Sequence, residues 1–125
     1  MASRRLLALP VIAAALALGA CGSEGIELAE DDPNYEGARL FDENCAGCHS
    51  LSVVGADGSA TGVASREKRD GPNFNERQES VEDVLYAIRN GGFSSQPMPQ
   101  NILTGEEAQK VAEFVAEYSG GGGSE

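Results

Sequence analysis

The sequence predicts an all-α domain of three to four helices joined by loops. Apolar residues at helical spacing or helix-start signals occur around residues 33–44, 80–90 and 104–119, and no stretch alternates convincingly as a strand would. The chain of 125 residues has no Trp and is only 6% aromatic. A domain of this size can therefore bury little apolar area with its own side chains, and we expect a bound group to complete the core.

The ends of the three helices carry recognisable signals. Asp32-Pro33 can cap and start the first helix, which is expected to end near residue 44. Ser80 begins an S-x-x-D pattern and Thr104 begins a capping box, so these residues are predicted to precede the second and third helices. Gly91 and Gly120 are expected to end those two helices, and residues 120–125 to form a flexible Gly-rich tail.

The stretch Cys45-Ala46-Gly47-Cys48-His49 carries the chemistry of the chain. Two thiols at this spacing can each form a thioether with one haem, and the adjacent His49 can bind the iron, which is the pattern of c-type haem attachment. The motif predicts one covalent haem c held by Cys45 and Cys48. A redox-active dithiol or a zinc site uses a similar Cys pair, but no βαβ pattern surrounds it as in a thioredoxin-like module.

A second iron ligand is expected from Met98. His49 is the only His in the chain, and Met98 is the only Met outside the N-terminal leader. Pro97 and Pro99 restrict the backbone on both sides of Met98, so the thioether lies on a stiff loop. A His/Met ligand pair raises the reduction potential of a haem. The alternative is a Met that only fills the core, which would leave the sixth iron position open.

Residues 1–20 have the features of an export signal. Arg4 and Arg5 precede an apolar run from Leu6 to Leu18, which is shorter than a bilayer span. Removal of this leader leaves seven basic and 20 acidic residues, so the formal charge changes from −11 to −13. We do not expect nucleic-acid binding, because it requires a basic face.

The third cysteine of the chain follows this leader directly. Leu18-Gly19-Ala20-Cys21 resembles a bacterial lipobox, and this resemblance implies cleavage before Cys21 and acylation of its sulfur. Ordinary cleavage near Ala20 is the alternative. Acylation would explain the odd cysteine and predicts a lipid anchor at the extracytoplasmic face of the cell membrane. Residues 21–32 would then form an acidic, extended and solvated tether.

Residues 34–119 together resemble the class I c-type cytochromes, the small monohaem type. The likeness rests on the haem-attachment run and on four further stretches, which are Gly37-Ala38-Arg39-Leu40-Phe41, Gly71-Pro72-Asn73, Met98-Pro99 and Val111-Ala112-Glu113-Phe114-Val115.

This resemblance implies the class I cytochrome c fold around one covalent haem in a domain of residues 33–119. It implies that His49 and Met98 bind the iron and that the Pro72 carbonyl accepts a hydrogen bond from His49. It also implies that Gly37 of the first helix crosses Phe114 of the last. The loop between His49 and Pro72 is longer and richer in glycine than in compact members, and ends in a basic cluster of Arg66, Lys68 and Arg69.

The function expected from these features is electron transfer rather than catalysis. A six-coordinate iron bound by His49 and Met98 would shuttle single electrons between respiratory redox partners. The acidic surface would steer the protein towards a partner with a basic docking face. The alternative is a haem protein with a labile sixth ligand that acts on peroxide or senses a gas.

Overall fold

A computed structural model of the chain describes residues 25–58, 71–93 and 97–121. Within these ranges lie three α-helices and two short strands, which are α1 (Tyr35–Asn44), β1 (Ser50–Leu51), β2 (Ala56–Asp57), α2 (Val81–Asn90) and α3 (Gly105–Tyr118). The prediction of a helical domain with three helices and long loops is confirmed. The predicted signal peptide, Cys21, the basic cluster at residues 66–69 and the last four residues lie outside the described ranges. None of the described helices is long and apolar enough to cross a membrane.

Helix α3 packs against both α1 and α2 and forms the centre of the fold. Gly37 of α1 is buried where it meets α3, and a Cβ atom built there would lie 2.5 Å from the Lys110 carbonyl oxygen and 2.7 Å from Phe114 Cβ. The predicted crossing of Gly37 and Phe114 is therefore present. Glycine inside a helix lowers stability by about 1 kcal/mol relative to alanine. The close contact with α3 explains why glycine nevertheless occupies position 37.

Three phenylalanines join α1, α3 and the segment that precedes α2. The ring of Phe41 contacts Phe74 edge-on at 6.0 Å and Phe114 edge-on at 5.8 Å between centroids. The other buried apolar residues are Ala38, Leu40, Leu51, Val54, Ala56, Val84, Ile88, Leu103, Ala108, Val111, Ala112 and Val115.

A small hairpin follows the haem-attachment motif, although no strand was predicted. Strands β1 and β2 are antiparallel, with Ser50 opposite Asp57 and Leu51 opposite Ala56. Ser50 also forms a parallel bridge with Asn73, and its carbonyl accepts from the Phe74 amide at 2.9 Å. Two-residue strands are too short to show an alternating pattern in the sequence.

The N-terminal segment packs on the domain, so the prediction of a solvated tether is wrong for part of residues 21–32. Ile26 and Leu28 are half-buried against the core, and the Glu27 amide donates to the Val53 carbonyl at 2.9 Å. The Asp32 carboxylate accepts from the Asn34 amide at 2.7 Å. It therefore caps a turn in front of α1, and the helix begins at residue 35 instead of 33.

The other helix ends agree only in part with their sequence signals. Ser80 caps α2 by accepting from the Asp83 amide at 3.1 Å, and Gly91 ends α2 with φ 72°, both as predicted. Thr104 precedes α3 but makes no side-chain cap bond, so the predicted capping box is wrong. Gly120 belongs to the domain instead of a flexible tail, because its amide donates to the Phe74 carbonyl at 2.7 Å.

Candidate functional site

The haem-attachment motif forms a tight turn directly after α1. The Cys45 amide donates to the Phe41 carbonyl at 2.7 Å, and the Cys45 carbonyl accepts from the Cys48 amide at 3.1 Å and the His49 amide at 3.0 Å. Cys45 and Cys48 are not joined by a disulfide. This turn places the thiol pair and the imidazole on one short segment, as thioether attachment requires.

The environment of Cys45 differs from that of a reactive thiolate. Burial raises the pKa of the Cys45 thiol to about 12, and the neighbouring Cys48 adds to the increase. Cysteines that exchange disulfides have lowered pKa values, because the thiolate is the reactive species. A protonated, half-buried thiol instead suits a residue that packs against a cofactor.

His49 is buried and is held in one orientation by three groups. Its Nδ1 atom donates a hydrogen bond to the Pro72 carbonyl, 3.1 Å away, which is the contact predicted from the sequence. The imidazole stacks on the Phe74 ring at 4.6 Å between centroids, with 9° between the planes. Gly71 lies on the ring, where an added Cβ would come within 2.5 Å of Cε1.

These contacts leave the other ring nitrogen, Nε2, to bind a metal. Burial lowers the pKa of His49, although the hydrogen bond to the Pro72 carbonyl opposes the shift. The imidazole is therefore neutral at neutral pH, which is the state that ligates metals. A hydrogen bond from the second nitrogen is the usual way in which a protein orients a ligating histidine.

A cavity of about 470 Å³ opens beside His49 and is walled by all three helices. This volume lies in the range of small-molecule and cofactor sites. Its lining residues are Phe41, Cys45, His49, Gly71, Pro72, Phe74, Arg77, Glu79, Asp83, Val84, Ala87, Ile88, Gly92, Phe93, Met98, Val111 and Val115. The cavity therefore combines apolar walls with one attachment cysteine and both predicted iron ligands, and these residues fit a haem.

Met98 lines the same cavity from a loop attached to the end of α2. The Asn101 amide donates to the Ile88 carbonyl at 2.7 Å, which ties the loop to the helix. Gly91 lies under Met98, and a Cβ there would come within 2.7 Å of the Met98 carbonyl oxygen. The structure thus brings Met98 and His49 together although 48 residues separate them.

Two groups of site residues carry no signal in the sequence. Arg77, Glu79 and Asp83 line the cavity with charged side chains. Tyr86 and Phe93 are the exposed large apolar residues of the described ranges, and they stack at 4.9 Å between centroids. Phe93 also lines the cavity, so this aromatic pair lies at its rim.

The fold and site together define a helical haem-binding domain of the covalently attached type. The chain belongs to the cytochrome c family, whose profile matches residues 35–119. Membership implies covalently attached haem c, with Cys45 and Cys48 in the C-x-x-C-H arrangement. The prediction of the cofactor is therefore confirmed, and the protein is a c-type cytochrome.

Similar proteins include a curated relative and a solved structure. The chain is 31% identical over 100 residues to chloroplastic cytochrome c6 from Chlamydomonas reinhardtii, a match covering 80% of this chain and 60% of that protein. The chain thus spans less than two thirds of the length of this relative. It also resembles the crystal structure of the c-type cytochrome SorU from Sinorhizobium meliloti, with 34% identity and a TM-score of 0.54. That match covers 70% of this chain and 91% of the other.

Proposed function

We propose that this cytochrome is a one-electron carrier and not an enzyme, in which His49 and Met98 would both bind the haem iron. The observation that carries the proposal is that the chain's only His and its only Met outside the leader line one cavity beside Cys45. When bound, haem supplies an iron that alternates between the ferric and ferrous states. If His49 and Met98 both bind the iron, they would leave no position on it for a substrate.

The protein contributes rigidity to this proposed role. Pro72 and Phe74 fix the His49 ring, and the loop of Met98 is tied to α2. Little rearrangement is then needed when the charge of the site changes. The apolar walls of the cavity disfavour the more highly charged ferric state and so raise the reduction potential.

Optical spectroscopy of the Met98 variants tests the ligand assignment. We expect a long-wavelength Met-to-iron charge-transfer band in the ferric protein, and we expect its loss in both Met98→Ala and Met98→Leu. Met98→Leu conserves the volume but removes the sulfur, so a Met that only fills the core would tolerate it. The control Gln100→Ala changes an exposed side chain of the same loop and should keep the band. A native protein that lacks the band and binds carbon monoxide readily would refute the proposal and favour a labile sixth ligand.

We further propose that acylated Cys21 anchors the protein at the extracytoplasmic face of the cell membrane. The support is the leader of residues 1–20 and the otherwise unexplained third cysteine. Because Ile26 already packs on the domain, only four residues lie between it and the anchor, so the two are five Cα–Cα steps apart. An extended chain of that length reaches roughly 17 Å, so the haem domain would stay close to the membrane surface.

Detergent phase partition and intact mass test the anchor. The native protein should enter the detergent phase and carry the mass of a diacylglyceryl group. Cys21→Ser should stay in the aqueous phase with its haem spectrum unchanged. A native protein that carries no acyl mass would refute the anchor without touching the electron-carrier proposal.

The proposed partners are electron donors and acceptors with basic docking faces. The support is the formal net charge, which is −11 for the full sequence and −13 without residues 1–20, since opposite charge accelerates encounter. Two small metal complexes of opposite charge test this expectation. Oxidation by a cationic complex should accelerate as the salt concentration falls, while oxidation by an anionic complex should slow. Equal salt dependence for the two would contradict the expected steering.

A further inference from the structure

A buried carboxylate lies in the haem cavity, in a position that no role proposed so far requires. Glu79 is only 7% exposed and lines the cavity just before α2. Its amide donates to the fully buried hydroxyl of Ser119 at 2.9 Å, which holds the residue against the end of α3. No hydrogen-bond donor in the described part of the chain is aligned with its Oε1 atom. A buried carboxylate without an aligned donor is costly even when an exposed cation lies close to it, and it needs an explanation.

The charges around Glu79 oppose each other. Arg77 Nε lies 2.5 Å from Glu79 Oε1, but the Arg77 side chain is 54% exposed and is therefore screened by water. Asp83 of α2 lines the same cavity with a like charge. The side of α3 contributes the neutral hydroxyl of Ser119. Burial raises the pKa of the Glu79 carboxyl, Arg77 opposes this shift and Asp83 reinforces it.

We propose that Glu79 binds a proton when the site accepts an electron and releases it when the electron leaves. This inference rests on the proposed electron-carrier function. A ferric haem carries one more positive charge than a ferrous haem, and charges interact strongly across a site that excludes water. The carboxylate is stabilised beside the ferric state, and reduction removes that attraction. Proton affinity at Glu79 therefore rises on reduction.

The step balances in charge and atoms. One electron comes from the redox donor and reduces ferric to ferrous iron. One proton comes from water and forms an O–H bond on the Glu79 carboxylate, so the total charge of the site does not change. By linkage, protonation of Glu79 must favour reduction to the same extent as reduction favours protonation. The reduction potential should then fall as the pH rises through the range in which Glu79 titrates.

Potentials of the intact haem-loaded protein, followed by absorbance from pH 4 to 9, test this inference. For the native protein, the plot of reduction potential against pH should show a sloping segment between two flat ones. The slope should approach ~59 mV per pH unit, the value for one proton per electron. Glu79→Gln should give a flat profile, and the control Glu82→Gln, an exposed residue of α2 outside the cavity, should keep the native profile.

A second variant keeps the inference testable if Glu79→Gln does not fold. Arg77→Gln removes an exposed guanidinium that stabilises the carboxylate, so the sloping segment should move to higher pH. Reduced-minus-oxidised infrared spectra of the native protein should also gain the carbonyl band of a protonated carboxyl.

Two results would overturn the inference. One is a sloping segment that survives unchanged in Glu79→Gln, which would place the proton on the haem propionates. The other is a segment that does not move in Arg77→Gln. The Met-to-iron band is recorded at each pH, so loss of Met98 ligation, which would refute the electron-carrier proposal, is seen separately.

Discussion

Substitution of Gly37 tests the packing of α1 on α3. In Gly37→Ala the new Cβ would lie 2.5 Å from the Lys110 carbonyl oxygen and 2.7 Å from Phe114 Cβ, whereas non-bonded carbon atoms settle near 3.5–4.0 Å. Neither neighbour is the end of a flexible chain, so the helices must separate. Overpacking costs about 1–3 kcal/mol, and the two contacts favour the upper end. Alanine also stabilises the helix by about 1 kcal/mol relative to glycine. The free energy of unfolding should therefore fall by about 2 kcal/mol.

Urea denaturation of the ferric protein, followed by circular dichroism and haem absorbance, measures this loss. Gly25→Ala is the control, because a Cβ at Gly25 meets no atom within 4 Å, and its midpoint should match the native one. The separated helices should also shift the haem spectrum, since Phe41 and Val111 line the cavity from α1 and α3. If Gly37→Ala proves as stable as the native protein or more so, helix propensity outweighs packing and the reasoning fails.

Two further predictions concern a helix cap and the orientation of the imidazole. Ser80→Ala should lower the free energy of unfolding by about 1 kcal/mol, because the Ser80 hydroxyl caps α2. Thr104→Ala is its matched control, since Thr104 makes no cap bond, and equal losses in urea denaturation would contradict this account. Gly71→Ala should displace the His49 ring, because the added Cβ would lie 2.5 Å from Cε1. The ferric absorption spectrum should then shift towards high spin, whereas Gly47→Ala, with open space around it, should not alter it, and a native spectrum in Gly71→Ala would refute the role of Gly71.

The parts of the fold that sequence reasoning predicted are those with local signals. The attachment motif is contiguous, the Ser80 cap is formed within one turn, and Gly91 ends α2 as expected. The pairing of His49 with the Pro72 carbonyl spans 23 residues, and its prediction came from family resemblance. The Gly37 crossing came from the same source. Periodicity alone does not show which helices touch.

The parts that were missed depend on tertiary contacts. Ile26 and Leu28 lie in an acidic stretch whose composition favours a solvated chain, but both pack against the buried core, and the Glu27 amide between them donates to the Val53 carbonyl. The burial of Glu79 has no local signal either. It follows from the Ser119 hydroxyl at the other end of the domain sequence, and a glutamate before a helix normally faces water.

The contacts that join the β1–β2 hairpin to residues 73–75 allow the chain length between them to vary. The residues on either side of positions 59–70 are held together by contacts within the described ranges. Ser50 pairs with Asn73, and the Asn75 side chain accepts from the Ser52 amide at 2.8 Å. Doubling a closed loop costs only about 0.6 kcal/mol in chain entropy. A change in the number of residues between Gly58 and Gly71 is therefore expected to leave the Pro72 carbonyl on the imidazole, because the contacts that place Pro72 are made outside that stretch.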